Sequence, residues 1–147
     1  MPGAEQAAAM LVVDSSVIVK WFLADTESHV AEALDLLWHH QSGEVMLAAP
    51  ELAALELINA MAKRRISGPE IEAAACTFEN MRLLLVPVVD LALDAAAICH
   101  RFSLTAHDSS FAALANRLDV PLVTEDRRLA ASGACDARLL GENCSPR

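Results

Sequence analysis

The chain has 147 residues, 54% of them hydrophobic and 21% charged, a balance that excludes global disorder. Eleven Lys and Arg against 20 Asp and Glu leave a formal charge of −9, which excludes nucleic-acid binding by bulk charge. No apolar run approaches the roughly 20 residues that a bilayer-spanning helix needs.

Residues 1–9 lack a basic start and a long apolar stretch, so they read as a disordered or non-native leader rather than a signal peptide. A single domain is expected over 10–141, followed by a flexible tail at 142–147. Met10-Leu-Val-Val-Asp14 predicts a buried parallel strand ending in a carboxylate. Ser15 to Leu23 places Val17, Ile18, Trp21 and Phe22 at helical spacing. Thr26 to His40 continues as a helix, with Val30, Ala33, Leu34 and Leu37 on one stripe. Ser42-Gly43 breaks it, and Val45 to Ala49 is a second strand closed by Pro50. Pro50 to Arg65 predicts a helix with Leu52, Leu55 and Ile58 in phase. Ser67-Gly68-Pro69 is a turn whose Ser67 or Gly68 caps a helix to about Arg82. Leu83 to Val89 is a third strand, interrupted by Pro87, and Asp90 caps a helix to Phe102. His107 or Asp108 opens another, with Phe111, Leu114, Ala115 and Leu118 in phase. Val120 to Thr124 is a fourth strand, Asp126 opens a short helix ending near Ser132-Gly133, and Arg138 to Leu140 is a last short strand.

Strands that are continuous apolar runs, alternating with helices, predict an α/β three-layer sandwich: a mostly parallel central sheet with helices on both faces. The four cysteines, Cys76, Cys99, Cys135 and Cys144, form no C-x-x-C pair. Zinc-ribbon spacing is therefore absent, and reduced thiols in a cytoplasmic protein are expected.

In open α/β sheets ligands bind beyond the carboxyl ends of the strands. Asp14 and Asp126 both fall at that edge, Asp108 opens a helix, and Glu56 shares a helix face with Asn59. Singly, each Asp reads most simply as an N-cap and Glu56 as a solvated helix residue. Together, four acids at element ends match a site for a hard cation, which takes oxygen ligands and offsets the repulsion among carboxylates.

The same residues carry a resemblance. Val12-Val-Asp14-Ser-Ser-Val-Ile-Val-Lys20-Trp-Phe22 resembles the opening of PIN-domain proteins, VapC-type toxins in particular. Pro50-Glu-Leu-Ala-Ala-Leu-Glu56-Leu-Ile-Asn59 is similar to the second motif of that family. Ala106-His-Asp108-Ser-Ser-Phe is similar to the third, with His107 where Tyr is commoner, and Pro121-Leu-Val-Thr124-Glu-Asp126 is similar to the fourth.

The resemblance implies a PIN-like fold and a Mg²⁺- or Mn²⁺-dependent endoribonuclease, the toxin of a type II toxin–antitoxin system. It implies Asp14, Glu56, Asp108 and Asp126 as catalytic and metal-holding residues. Ser15, Asn59 and Thr124 become candidates for orienting carboxylates or water. The implied chemistry is metal-assisted hydrolysis by external water, leaving a 5′-phosphate and a 3′-hydroxyl. It also implies an RNA substrate, a cognate antitoxin, a homodimer, a hetero-oligomer with the antitoxin and no membrane partner. Lys20, Lys63, Arg64, Arg65, Arg127 and Arg128 are expected to meet backbone phosphates, and helix C-terminal complementation is an equal alternative for 63–65. His39-His40 read as stabilising a helix end, and His29 and His100 show no partner in the sequence.

Two alternatives stand beside this. One is another Mg²⁺-dependent α/β phosphohydrolase. A haloacid-dehalogenase-type site wants Asp where Ser16 stands, and a receiver domain wants acids where Val12-Val13 stand. The other is a PIN-like fold serving as a non-catalytic binding module.

Overall fold

The apolar runs pair into one sheet. Described over residues 8–142, the structure is a computed structural model with five strands: β1 Ala9–Val13, β2 Val45–Pro50, β3 Leu84–Val86, β4 Leu122–Thr124 and β5 Ala137–Leu139. All neighbours are parallel, in the order β3-β2-β1-β4-β5. Val12 pairs with Ala48 on one side and Leu122 on the other, so β1 is the middle strand. β1 starts at Ala9, one residue inside the expected leader; residues 1–7 and 143–147 lie outside the described residues.

Seven α-helices link the strands: α1 Ser15–Ile18, α2 Val30–Gln41, α3 Ala53–Lys63, α4 Gly68–Asn80, α5 Val88–Phe102, α6 Ala106–Leu118 and α7 Arg127–Ala131. Helix α6 packs on β1, β2 and β4 and is itself covered by α5, while α2 packs on β2 and α3 on α4. This makes α6 the central helix of one face, with every residue from Ser109 to Ala115 buried. Parallel strands need such crossovers, and the strand order reverses after β3, placing β4 and β5 on the other side of β1.

The element boundaries depart from the sequence expectations for local reasons. The 15–23 helix is one α-turn followed by a 3-10 turn at Val19–Trp21. The indole of Trp21 donates to the Ala33 carbonyl and the Lys20 ammonium to the Ser28 carbonyl, tying the chain into a tight return. The helix expected from Thr26 starts at Val30, after a 3-10 turn and a left-handed His29. Pro50 ends β2, and α3 buries Ala53, Leu57 and Met61 while Leu55 is 69% exposed. Helix α5 begins straight after Pro87 and takes Val88 and Val89 from the expected third strand, so Asp90 sits in its first turn and is not the cap. Thr105 caps α6 by accepting from the Asp108 N–H, and Ser67 caps α4 by accepting from Glu70. His40 in the last turn of α2 also ties the layers together: its Nδ1 accepts from the Leu47 N–H and its Nε2 meets the Met81 carbonyl, joining α2 to β2.

No helix among the described residues is long and apolar enough to cross a membrane. Cys76, Cys99 and Cys135 are free thiols.

Candidate active site

The strand order reverses between β1 and β4, so the crevice for a ligand opens beyond their carboxyl ends. The Asp14 N–H donates to the Val123 carbonyl, which locks the two ends together. Asp14 stands at the N-cap position of α1 yet makes no side-chain capping bond there. Its carboxylate Oδ2 instead accepts from the hydroxyls of Ser16 (2.7 Å) and Thr124 (2.8 Å). The residue is 6% exposed. Burial raises the Asp14 pKa above the ordinary carboxylate value, against the two hydroxyls that lower it, and the nearby Asp108 charge adds to the rise.

Glu56 comes from α3 and is half-buried. Its pKa is raised too, first by burial and then by the charge of Asp14, with Asp108 adding a smaller push. His107 opposes that rise. Glu56 Oε1 and Ser15 Oγ are buried without a well-formed hydrogen bond, and the Ser15 hydroxyl is near enough to Glu56 only to lower its pKa slightly. A buried carboxylate oxygen without a well-formed hydrogen bond is costly, and a cation relieves that cost directly. Asp108 is free to face this group because Thr105, not Asp108, caps α6. Three elements therefore bring Asp14, Glu56 and Asp108 near enough that the Asp108 charge adds to the raised pKa of both Asp14 and Glu56.

Asp126 is placed differently. Its Oδ1 accepts from the N–H groups of Arg128 (2.8 Å) and Leu129 (3.3 Å), capping α7. Its own N–H donates to Thr124 Oγ1, the hydroxyl that holds Asp14. Among the expected orienting residues, Thr124 touches Asp14, Ser15 is buried beside Glu56, and Asn59 is exposed with no hydrogen bond to the acids. Asn59 is one helical turn from Glu56 but points off the buried face.

Ser16 and Glu125 were not among the expected site residues. For Ser16 a signal exists, since a hydroxyl two residues after an Asp is a common local bonding partner. For Glu125 there is none: its N–H donates to Ser16 Oγ at 3.0 Å across 109 residues of sequence.

The basic residues divide. Lys20, expected at an RNA phosphate, is 2% exposed and pairs with Glu125 at 3.3 Å, so burial commits its charge internally. Arg64 pairs with Glu27, and the Arg128 guanidinium reaches the Ser103 carbonyl. Lys63, Arg65 and Arg127 are exposed.

The acids fit a hard cation by chemistry: all donors are carboxylate oxygens, two of the acids are desolvated, and one oxygen lacks a well-formed hydrogen bond. Among the described residues no three acidic, His or Cys side chains converge tightly enough to enclose an ion. Mg²⁺ does not require that, since it is usually held by one or two carboxylates together with waters and substrate phosphates.

The family model of the PIN domain matches residues 11–133. The chain belongs to the PIN domain family. The match spans all four acids and runs from within β1 to beyond α7. Solved structures share the fold. VapC20 of Mycobacterium tuberculosis, a Sarcin-Ricin-loop-cleaving toxin, is similar with TM-score 0.68 and 19% identity over 87% of this chain and 98% of that one. A toxin–antitoxin complex from Klebsiella pneumoniae gives TM-score 0.64 and 14% identity over 87% and 95%. PAE2754 from Pyrobaculum aerophilum gives TM-score 0.61 and 22% identity over 92% of both chains. At these identities the likeness shows the fold alone. No curated protein matches the chain by sequence.

Proposed function

We propose that this PIN domain is a metal-dependent endoribonuclease and the toxin component of a type II toxin–antitoxin system. The observation that carries the reading is the meeting of Asp14, Glu56 and Asp108 at the sheet's switch point, where burial raises the pKa of Asp14 and of Glu56 and a buried Glu56 oxygen lacks a well-formed hydrogen bond. Carboxylates held at such cost are explained by a cation that they receive. Asp14 and Asp108 would hold Mg²⁺ or Mn²⁺ most directly, with Glu56 and Asp126 completing the site or positioning water. The ion, when bound, supplies Lewis acidity at a phosphodiester and lowers the pKa of water.

The chain's own groups do the rest. Ser16 and Thr124 hold one oxygen of Asp14 and so aim the other. Glu56, whose proton affinity burial raises in the metal-free protein, is the acid proposed to take a proton from water. Attack by external water leaves a 5′-phosphate and a 3′-hydroxyl. Exposed Lys63, Arg65 and Arg127 supply local positive charge on an acidic molecule.

Two surfaces support the proposed partners. A groove of about 530 Å³ lies against Trp21, Phe22, Leu23, Met61, Ile66 and Met81, and an amphipathic antitoxin segment fits it. Exposed Val89 and Leu93, one turn apart on α5, form an apolar strip suited to a second copy of the chain.

The test is cleavage of total cellular RNA by purified protein in Mg²⁺ or Mn²⁺, beside EDTA and beside Asp14→Asn. Discrete metal-dependent products that need Asp14 are expected. A 2′,3′-cyclic phosphate end would overturn the mechanism. Metal binding without cleavage of any RNA, from protein freed of partner, would favour the binding-module reading.

A further inference from the structure

We infer that Lys20 and Glu125 form an internal clamp that positions the Asp14 carboxylate, and that the pair is a positioning device rather than an RNA contact. The inference deepens the nuclease reading and rests on it only for its catalytic readout.

Lys20 lies in the 3-10 turn after α1 and is almost fully buried. A buried ammonium is costly unless paired and hydrogen-bonded. Here Nζ donates to the Ser28 carbonyl at 2.6 Å and faces Glu125 Oε2 at 3.3 Å. The same Glu125 oxygen meets His29 Nδ1 at 3.2 Å. Glu125 thus has its side chain anchored on the segment that follows α1, while its backbone sits between two residues of the site.

From that backbone the linkage runs straight to Asp14. The Glu125 N–H donates to Ser16 Oγ, and Ser16 donates to Asp14 Oδ2. On either side of Glu125, Thr124 donates to the same Asp14 oxygen and accepts from the Asp126 N–H. Residues 124–126 therefore hold Asp14 through two hydroxyls, and the only side chain of the three that anchors them to the α1 return is Glu125. The β1–β4 pairing and the Thr124 bond hold the strand ends together without the pair, but the Glu125 backbone loses its side-chain anchor, so the Glu125 N–H and through it Ser16 hold the carboxylate less firmly.

Lys20→Met and Glu125→Gln test this, because each keeps the size of the side chain while removing one charge. Each is expected to lower kcat by about 10- to 100-fold, the range for partners that orient metal-binding groups, with KM for RNA within about twofold. The double variant should be no worse than the more impaired single, since both act through one pair. Mn²⁺ binding, measured by calorimetry on the folded proteins, should weaken in parallel. All assays run below the unfolding transition of every variant. Hydrogen exchange reads the clamp independently of activity. The Glu125 and Asp126 amides should exchange at least about tenfold faster in both variants, while core amides of β1 and β2 keep their protection. Unchanged exchange at 125 and 126, or kinetic effects that add in the double variant, would overturn the clamp. A wild type that neither cleaves RNA nor binds Mn²⁺ would refute the nuclease reading instead, leaving the exchange result to decide the clamp.

Discussion

The ends of β1 and β4 lie side by side, each followed within two residues by an Asp and then a helix, yet the two carboxylates have different employment. Asp126 behaves as its helix requires, accepting two backbone N–H groups at the start of α7. Asp14 stands at the equivalent place before α1 and leaves that helix uncapped by its side chain. The difference lies in what surrounds each. Asp14 directly follows the middle strand, is buried, and is held by side-chain hydroxyls from two elements. Asp126 is farther out along the chain and touches the site only through its N–H to Thr124. A capping Asp stabilises its helix; an uncapping, desolvated Asp stores a cost that a ligand can remove.

The sharpest way to break this contrast is Asp14→Asn. Cleavage should vanish, while the metal-free protein gains thermal stability at neutral pH because a buried charge is removed. Loss of both activity and stability would make Asp14 a structural residue. Next comes Thr124→Val, which removes a donor to Asp14 and an acceptor for Asp126 together. It should lower kcat by about 10- to 100-fold and destabilise by about 1–3 kcal/mol through the orphaned groups. Denaturant unfolding and steady-state kinetics measure the two effects.

Asp126 separates by substitution type. Asp126→Asn keeps a capping oxygen and should leave stability within a few tenths of a kcal/mol, whereas Asp126→Ala should cost about 1 kcal/mol. Activity lost in the stable Asn variant would place Asp126 among the metal-holding acids; activity retained would leave it a cap.

The pH dependence carries its own sign. Asp14 and Glu56 have folded pKa values raised by burial, so the folded state binds their protons more tightly than the unfolded chain does. Above those raised values the metal-free fold bears the full cost of two ionised carboxylates. As pH falls through them the protons return and stability rises, the gain being complete near the ordinary carboxylate value of about 4. Thermal unfolding in EDTA should show this rise, and Glu56→Gln combined with Asp14→Asn should flatten it. Saturating Mg²⁺ should raise stability most at neutral pH, where both groups are ionised. The smallest effect is expected from Arg65→Ala, which should reduce the salt slope of RNA binding by about 1 if Arg65 meets a phosphate.

Much of this was legible before any coordinates. Continuous apolar runs ending at Asp14 and Thr124 predict parallel strands, because only a sheet covered on both faces buries every residue of a strand. Four acids placed at element ends predict a site at the carboxyl edge. Ser67 and Asp126 act as the caps their residue types promise. Boundaries were harder where two signals compete. Val88 and Val89 look like strand, but Pro87 fixes a helix start, and tertiary packing on α6 decides for the helix.

The sequence by itself determined the layer order of elements, the family and the candidate acids, because periodicity and local chemistry are written in short windows. Only the tertiary structure decided how those acids are used. Whether an Asp caps or is desolvated depends on strands and helices far apart in the chain. So does the fate of Lys20: its motif suggested a surface cation, and burial against Glu125 turned it inward. A contact spanning more than a hundred residues has no signature in any local pattern, because its partners meet only when the sheet closes β4 onto β1.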